Sequence, residues 1–181
     1  MSTTPFAAVR PSTEADLDAI VAIYALHVAG GTATFETEAP DRAEMARRRT
    51  DVLGRGWPWL VAEAEGRVVG YAYANVFRPR AAYRWCLEDS IYLLPDACGR
   101  GVGRRLLGDL LDRCEAAGAR QVMAVIGDSA NAGSIGVHRA LGFVHTGTMR
   151  SAGWKHGRWI DVVLMQKALG PGDSEPPGIG A

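Results

Sequence analysis

The chain has 181 residues, and its 20 Lys and Arg are balanced by 20 Asp and Glu, giving zero formal net charge at pH 7. That length suits one ordinary domain with a real core, and the balance leaves no whole-chain electrostatic footprint for nucleic acid or an anionic membrane. Cys86, Cys98 and Cys114 have neither metal-ligand nor C-x-x-C spacing, and their odd number argues against a disulfide framework, so a reducing cytoplasm is the simplest expectation.

In chain order, residues 1–6 read as frayed and Ala7 to Arg10 as a first short strand. The opening MSTTPFAAVR lacks a basic stretch followed by an apolar one, and no run of about 18 apolar residues occurs, so neither export nor a membrane span is expected. From Ser12 or Thr13, either of which can cap a helix, Leu17, Ile20, Val21 and Tyr24 recur at helical spacing until Gly30 and Gly31. The following GTATFETEAP is polar and β-prone, and Asp41 to Leu53 reads as a charge-heavy second helix. There the consecutive Arg47, Arg48 and Arg49 fan out around the axis and read as a solvated face. Trp59 to Glu63 and Val68 to Asn75 predict a hairpin about Glu65-Gly66, followed by an arginine- and aromatic-rich loop, Val76 to Cys86.

The centre of the chain is EDSIYLLPDACGRGVGRRLLGDLL, Glu88 to Leu111. An apolar strand breaks at Pro95, passes a loop with glycine at positions 99, 101 and 103, and enters a helix carrying Leu106, Leu107, Leu110 and Leu111. Such a loop is a phosphate cradle: glycines admit a ligand close to the backbone, and the free N–H groups of the helix's first turn point at an anion. Arg100, Arg104 and Arg105 add positive charge. The dinucleotide fingerprint G-x-G-x-x-G does not fit, because the sixth position is Arg104 from Gly99 and Leu106 from Gly101. A Walker loop fails too, since Gly103-Arg104-Arg105 stands where Gly-Lys-Ser/Thr is needed. Gly118 stops the helix, Gln121 to Ile126 is a buried-type strand, and Asn131 to Leu141 is a helix closed by Gly142. Phe143 to Met149 and Trp159 to Leu169 are the last strands, joined around Gly157. This order predicts an α/β fold with a mixed, mostly antiparallel central sheet flanked by helices, in one domain over residues 1–169. The tail GPGDSEPPGIGA, residues 170–181, has the composition of a flexible end.

The glycine loop resembles the acetyl-CoA pyrophosphate loop of the GCN5-related N-acetyltransferases, Gln/Arg-x-x-Gly-x-Gly/Ala. Here it reads Cys98-Gly99-Arg100-Gly101-Val102-Gly103, with cysteine where the family usually has Gln or Arg. The resemblance implies the acyl-CoA N-acyltransferase fold and acetyl-CoA as co-substrate. Its phosphates would lie on Gly99, Arg100, Gly101, Val102, Gly103 and Arg104, and its thioester and pantetheine arm along the backbone of Ile91, Tyr92 and Leu93. No metal is implied, and His27, His145 and His156 share no metal-ligand spacing.

Attack by an amine on a thioester needs a base for the ammonium, donors for the oxyanion and a proton for the thiolate. Glu88, at the start of the central strand, is a usable base if a partly dry cleft raises its pKa; the alternative is a surface ion pair with Arg84. The family resemblance favours the base. Asp89 is the neighbouring alternative on the opposite sheet face. In SIGVHRALGF, His138 stands where the wider family usually places a thiolate-protonating Tyr. It can supply that acid or a second base, or be a half-buried helix histidine with a backbone partner. Asn131 and Ser134 read as helix caps, as coenzyme contacts, or as both.

Three further stretches resemble the phosphinothricin and methionine sulfoximine or sulfone acetyltransferase branch: Thr32 to Pro40, Arg78 to Leu93 and Ala152 to Gln166. In that branch histidine is the expected residue at position 138. The resemblance implies a homodimer and an amine site drawn from Phe35, Arg78, Pro79, Arg80, Tyr83, Glu88, Asp89 and Ser90. Guanidinium forks suit a substrate carrying a carboxylate and a phosphinate or sulfoximine head. Lys155, His156 and Arg158 lie on a hairpin that can reach the pocket of the same or a partner subunit. Two other readings stay open: acetylation of a protein N-terminus, and a non-catalytic acyl-CoA sensing module.

Overall fold

β-rich segments around Glu88–Leu94 and Gln121–Ile126, separated by a single helix, demand a crossover, and the chain resolves that demand at its centre. The computed structural model describes residues 8–178; the expected fraying of residues 1–6, the reading of Ala7 as a strand residue, and residues 179–181 lie outside them. Seven strands form one sheet: β1 (Ala8–Pro11), β2 (Trp59–Ala64), β3 (Arg67–Val76), β4 (Cys86–Leu93), β5 (Gln121–Gly127), β6 (Val144–Lys155) and β7 (Arg158–Ala168). Their spatial order is β1-β2-β3-β4-β5-β7-β6. Every neighbouring pair is antiparallel except β4 and β5, which are parallel. A parallel pair cannot be closed by a hairpin, and helix α3 (Val102–Ala116) makes the crossover.

The sheet is covered on both faces. On one, Leu106, Leu107, Leu110 and Leu111 of α3 bury against Leu60, Ala72, Leu87 and Val122, with α4 (Ala132–Ala140) beside them. On the other, Leu17, Ile20 and Tyr24 of α1 (Leu17–Gly30) and Met45 of α2 (Arg42–Gly54) pack on Trp59, Val61, Tyr71 and Tyr92. Strand alternation delivers this division: in β2, Trp59 and Val61 face the second core and Leu60 and Ala62 the first. Trp59, Tyr71, Tyr73 and Tyr92 form a ring ladder across β2, β3 and β4, with Trp59 and Tyr73 stacked at 4.2 Å and Tyr71 and Tyr92 at 5.3 Å.

Local differences from the sequence reading have local causes. Helix α1 is preceded by a 3-10 turn, Glu14–Asp16, in which the Thr13 N–H donates to the Asp16 carboxylate at 2.7 Å. Asp41 caps α2, its side chain accepting from the Glu44 N–H at 2.8 Å. The three consecutive arginines do fan out, but they are tethers and not merely a solvated face. Arg47 pairs with Glu44 and Asp51, Arg48 with Glu36 and Glu44, and Arg49 donates to the hydroxyl and carbonyl of Ser12. The β-prone Gly31–Pro40 stretch forms no strand, because side chains satisfy its polar groups. Lys155 donates to the Gly31 and Thr34 carbonyls at 2.9 and 2.8 Å, and Tyr24 donates to Glu36 at 2.8 Å. Strand β6 runs to Lys155, beyond the expected Met149, through a register shift between Met149 and Gly153 that includes Ser151 at φ 49°.

Candidate active site

Strands β4 and β5 pair only from Cys86/Gln121 to Asp89/Ala124. Beyond that point β4 stays with β3 as far as Leu93, and β5 stays with β7 as far as Gly127, so the two central strands part. A cleft of about 470 Å³ opens where they diverge, lined by Glu88 to Tyr92 and by Ala124 to Gly127. The loop Ala33–Phe35, Tyr73, residues Asn131, Ser134 and His138 at the start and on the inner face of α4, and Met149, Ala152 and Val162 complete its wall.

The period of two along β4 decides which groups meet. Glu88, Ser90 and Tyr92 point to the α1 side and Asp89 to the α3 and α4 side. Burial pushes the Glu88 carboxyl above the usual carboxylate range; the Arg78 charge opposes that and Asp89 adds to it. Asp89 and His138 are buried together, with side chains 1% and 2% exposed, and His138 Nε2 lies 3.0 Å from Asp89 Oδ2. His138 Nδ1 lies 2.7 Å from the Ser134 carbonyl oxygen. Burial alone would lower this imidazole's pKa; the hydrogen bond and charge of Asp89, with the Ser134 carbonyl, more than offset it, so the net shift is upward. Asn131 caps α4, its Oδ1 accepting from the Ser134 N–H at 3.1 Å, which aligns Ser134 and His138 on the cleft face.

The glycine loop lies at the N-terminus of α3. Gly99 and Gly101 take left-handed φ of 72° and 80°, with open space where a side chain would begin. No side chain caps the helix, and the N–H groups of Val102, Gly103 and Arg104 precede its first hydrogen bond, from Arg105 N–H to Gly101 O at 3.1 Å. Gly103 is a packing residue: a Cβ there would stand 3.1 Å from Leu93 Cδ1. The Cys98 thiol donates to the Leu94 carbonyl at 3.5 Å and so turns back into the loop. Arg100, Arg104 and Arg105 are exposed. Bare donors, left-handed glycines and surrounding guanidinium groups fit a pyrophosphate.

Of the residues expected at the amine site, Phe35, Glu88, Asp89 and Ser90 line the cleft. Arg78, Pro79, Arg80 and Tyr83 do not line it; they are exposed in the connection between β3 and β4. The Arg78 guanidinium lies 4.1 Å over the Phe77 ring. Of the coenzyme residues, Ile91, Tyr92, Asn131 and Ser134 share the cleft, whereas Leu93 ends β4 against Gly103, with His27 Nε2 2.9 Å from its carbonyl oxygen. Sequence reasoning passed over Tyr73 and Gly127, and it named Lys155 on its hairpin without assigning it the Gly31–Thr34 loop. Gly127 is required because a Cβ there would fall 2.0 Å from the Thr32 oxygen. Lys155 is 4% exposed and holds the Gly31–Thr34 wall from the hairpin. Among the described residues no three His, Cys, Asp or Glu side chains gather as a metal cage, and no helix is long and apolar enough to cross a membrane.

Comparison with known proteins places this geometry. The chain is 54% identical over 169 residues to a phosphinothricin N-acetyltransferase of Alcaligenes faecalis, covering 93% of this chain and 86% of that one. It is 41% identical over 174 residues to an L-methionine sulfoximine/L-methionine sulfone acetyltransferase of Pseudomonas paraeruginosa, covering 94% and 99%. A crystal structure of a GNAT superfamily phosphinothricin acetyltransferase from Sinorhizobium meliloti, in complex with acetyl-CoA, superposes with a TM-score of 0.94 at 48% identity, covering 97% of this chain and 95% of that one. Residues 20–143 match the Acetyltransferase (GNAT) family, and with these relatives they establish that the chain belongs to that family and is an N-acyltransferase.

Proposed function

We propose that the cleft transfers acetyl from acetyl-CoA to the amino group of a small amino-acid analogue such as phosphinothricin, methionine sulfoximine or methionine sulfone. The observation that carries the reading is a carboxylate of raised pKa, Glu88, at the point where the central strands part. Acetyl-CoA supplies the activated acyl group as a thioester. The chain's own part is to anchor phosphates at Gly99 to Arg104, to present main-chain donors along β4 beyond the split, and to take a proton from the substrate ammonium at Glu88. His138, on the opposite face of β4, is the candidate source of the proton that the leaving sulfur needs. Arg78, Arg80 and Arg84 in the connection before β4 are the candidate guanidinium groups for the substrate's anionic head. Residues 1–169 act as the catalytic domain, and the Gly/Pro-rich stretch after it turns back on it as far as Pro176, whose carbonyl accepts from Arg120 at 3.1 Å. A homodimer in the cytoplasm completes the proposal. It is supported by exposed Trp154, Trp159, Val144 and Met149 along β6 and β7 and is tested by sedimentation equilibrium.

The deciding assay is thiol release from acetyl-CoA against phosphinothricin, methionine sulfoximine, methionine sulfone, ordinary amino acids and short peptides. Saturable turnover on the first three with little on peptides is expected. Preference for peptides would replace this reading with protein N-terminal acetylation. Bound coenzyme with no turnover on any amine would replace it with an acyl-CoA sensing module.

A further inference from the structure

Gly153 lies in β6 at the end of the register shift that begins at Met149, and it pairs with Ile160. It does not take a left-handed φ, so alanine is free to adopt its backbone; what glycine supplies at this position is space. A Cβ there would fall 2.5, 2.7 and 2.8 Å from Cε2, Cδ2 and Cζ of Phe35, and these are the three nearest atoms. One edge of the Phe35 ring therefore rests on the bare Cα of Gly153. The segment carrying the ring is held on both sides. The Thr34 carbonyl accepts from Lys155 Nζ at 2.8 Å, two residues along β6 from Gly153, and the Thr34 hydroxyl lies 2.8 Å from the Tyr24 phenol. The Glu36 carboxylate accepts from Tyr24 and Arg48 at 2.8 and 2.6 Å. With residues 34 and 36 pinned, a side chain at 153 displaces the ring and not the loop, and the open space that the ring borders is the cleft.

We propose that Gly153 is a positioning residue for substrate selection: by seating Phe35 against β6 it sets the width of the amine pocket, and so the length of side chain an amine can carry. The proposal rests on the acyl-transfer reading of the cleft. Glu88 points to the α1 side of β4, and the Ala33–Phe35 loop follows α1, so an amine at Glu88 has this wall beside it. The coenzyme enters instead from the glycine loop at α3. Phe35, Met149, Ala152 and Val162 make the wall apolar. Such a surface leaves a polar group unpaired and takes an alkyl end. Phosphinothricin, methionine sulfoximine and methionine sulfone each end in a methyl group on a tetrahedral phosphorus or sulfur. The wall fits the feature they share, and the class that follows is amino acids whose side chain ends in a small alkyl group.

The test compares KM and kcat for methionine sulfone and for ethionine sulfone, which is longer by a methylene, in the wild type, Gly153→Ala, Phe35→Ala and the double variant. In Gly153→Ala the displaced ring narrows the pocket. KM for methionine sulfone rises about tenfold while kcat holds, the mark of binding lost equally from ground and transition states. Calorimetric coenzyme affinity and circular dichroism stay as in the wild type. The wild type disfavours ethionine sulfone by about ten- to hundredfold in kcat/KM, the range for a surplus methylene in a fitted apolar pocket, and Phe35→Ala removes most of that penalty. In the double variant the added methyl meets empty space, so KM for methionine sulfone equals that of Phe35→Ala alone. A merely structural glycine would carry its damage into both backgrounds. An active wild type whose KM is indifferent to Gly153→Ala overturns the proposal, and so does an equal KM rise in the Phe35→Ala background. Should Gly153→Ala fail to fold, Phe35→Ala, which leaves β6 unaltered, decides: an undiminished penalty against ethionine sulfone overturns the assignment. A wild type inert toward every amine overturns the acyl-transfer reading and this inference with it.

Discussion

Replacing Lys155 by methionine tests whether the hairpin of β6 and β7 fixes the cleft wall. The Lys155 ammonium is buried and donates to the carbonyls of Gly31 and Thr34, while His156 Nε2 is also 3.1 Å from the Gly31 oxygen. Methionine keeps the length and packing of the stem, so the change isolates the charged tip. Gly31 keeps its histidine partner. Thr34 loses its ammonium, and a hydrogen bond to a charged group contributes about 1.5–3 kcal/mol. Part of that is returned, because burial already pushes the Lys155 pKa down and the ammonium no longer has to be buried. The net expectation is a loss of about 1–2 kcal/mol of stability, read as a lower urea midpoint at unchanged slope. Because Ala33, Thr34 and Phe35 line the cleft, the KM for the amine should rise roughly tenfold, which corresponds to about 1.4 kcal/mol, with coenzyme affinity preserved. An unchanged midpoint together with an unchanged KM would refute the claim that Lys155 holds this wall.

Glu88→Gln should lower kcat by about two to four orders of magnitude, the range for a general base, while calorimetry finds coenzyme binding intact. In the wild type kcat/KM should climb with pH through the raised Glu88 pKa, and the variant should lose that limb; unchanged turnover would remove Glu88 from the mechanism. Gly101→Glu should abolish coenzyme binding, since position 101 has φ 80° with open space ahead of the α3 N-terminus, whereas Gly101→Asn, which tolerates that φ, should retain measurable affinity. The hydrogen bond from Arg10 lowers the Asp16 carboxyl to about 2 from its ordinary 3.8. Because the folded value is the lower one, the associated stability is present above about pH 3.8 and disappears as pH falls toward 2. The shift corresponds to about 2 kcal/mol, reduced to about 1–2 because the Arg10 side chain is 37% exposed, and urea titrations of Asp16→Asn should be correspondingly flatter across that window.

The centre of the fold was legible because its signals are local. A break at Pro95, glycines at 99 and 101 and four leucines at helical spacing each act within a turn of their own position, and they recover the strand, loop and helix in order. The cleft was legible only as far as β4 itself. Its other wall comes from segments distant in sequence. Lys155 is separated from Thr34 by 121 positions, and nothing in the short polar run GTATFETEAP says that a hairpin will supply its hydrogen bonds. Judged by propensity alone, that run is β-prone; tertiary partners override the propensity. Gly127 carried no readable signal either, since an isolated glycine at a strand end looks like a turn residue until Thr32 is seen lying across it.

The position of the Glu88–Asp89 pair has a consequence for the proposed chemistry. Two adjacent carboxylates would ordinarily compete for one proton in a shared pocket. Here strand alternation sends them to opposite faces, and each meets a different environment. Glu88 faces the aromatic ladder, where burial outweighs the opposing Arg78 charge, so its pKa is lifted and it becomes a better proton acceptor. Asp89 meets an imidazole whose other nitrogen is already committed to a carbonyl, so the pair keeps a proton instead of seeking one. In the proposed reaction, this dipeptide at the end of the β4–β5 pairing would set a base on one face of the cleft and an acid on the other. A thioester carbonyl lying in the gap between β4 and β5 would be approached by the amine from the Glu88 side and would release its sulfur toward α4. Exchanging the two residues, Glu88→Asp with Asp89→Glu, keeps composition and net charge while shortening the base by one methylene and lengthening the histidine's partner in a buried site. Activity should fall by at least tenfold with the fold retained by circular dichroism, and full activity in this double variant would show that the reach of each carboxylate on its own face does not matter.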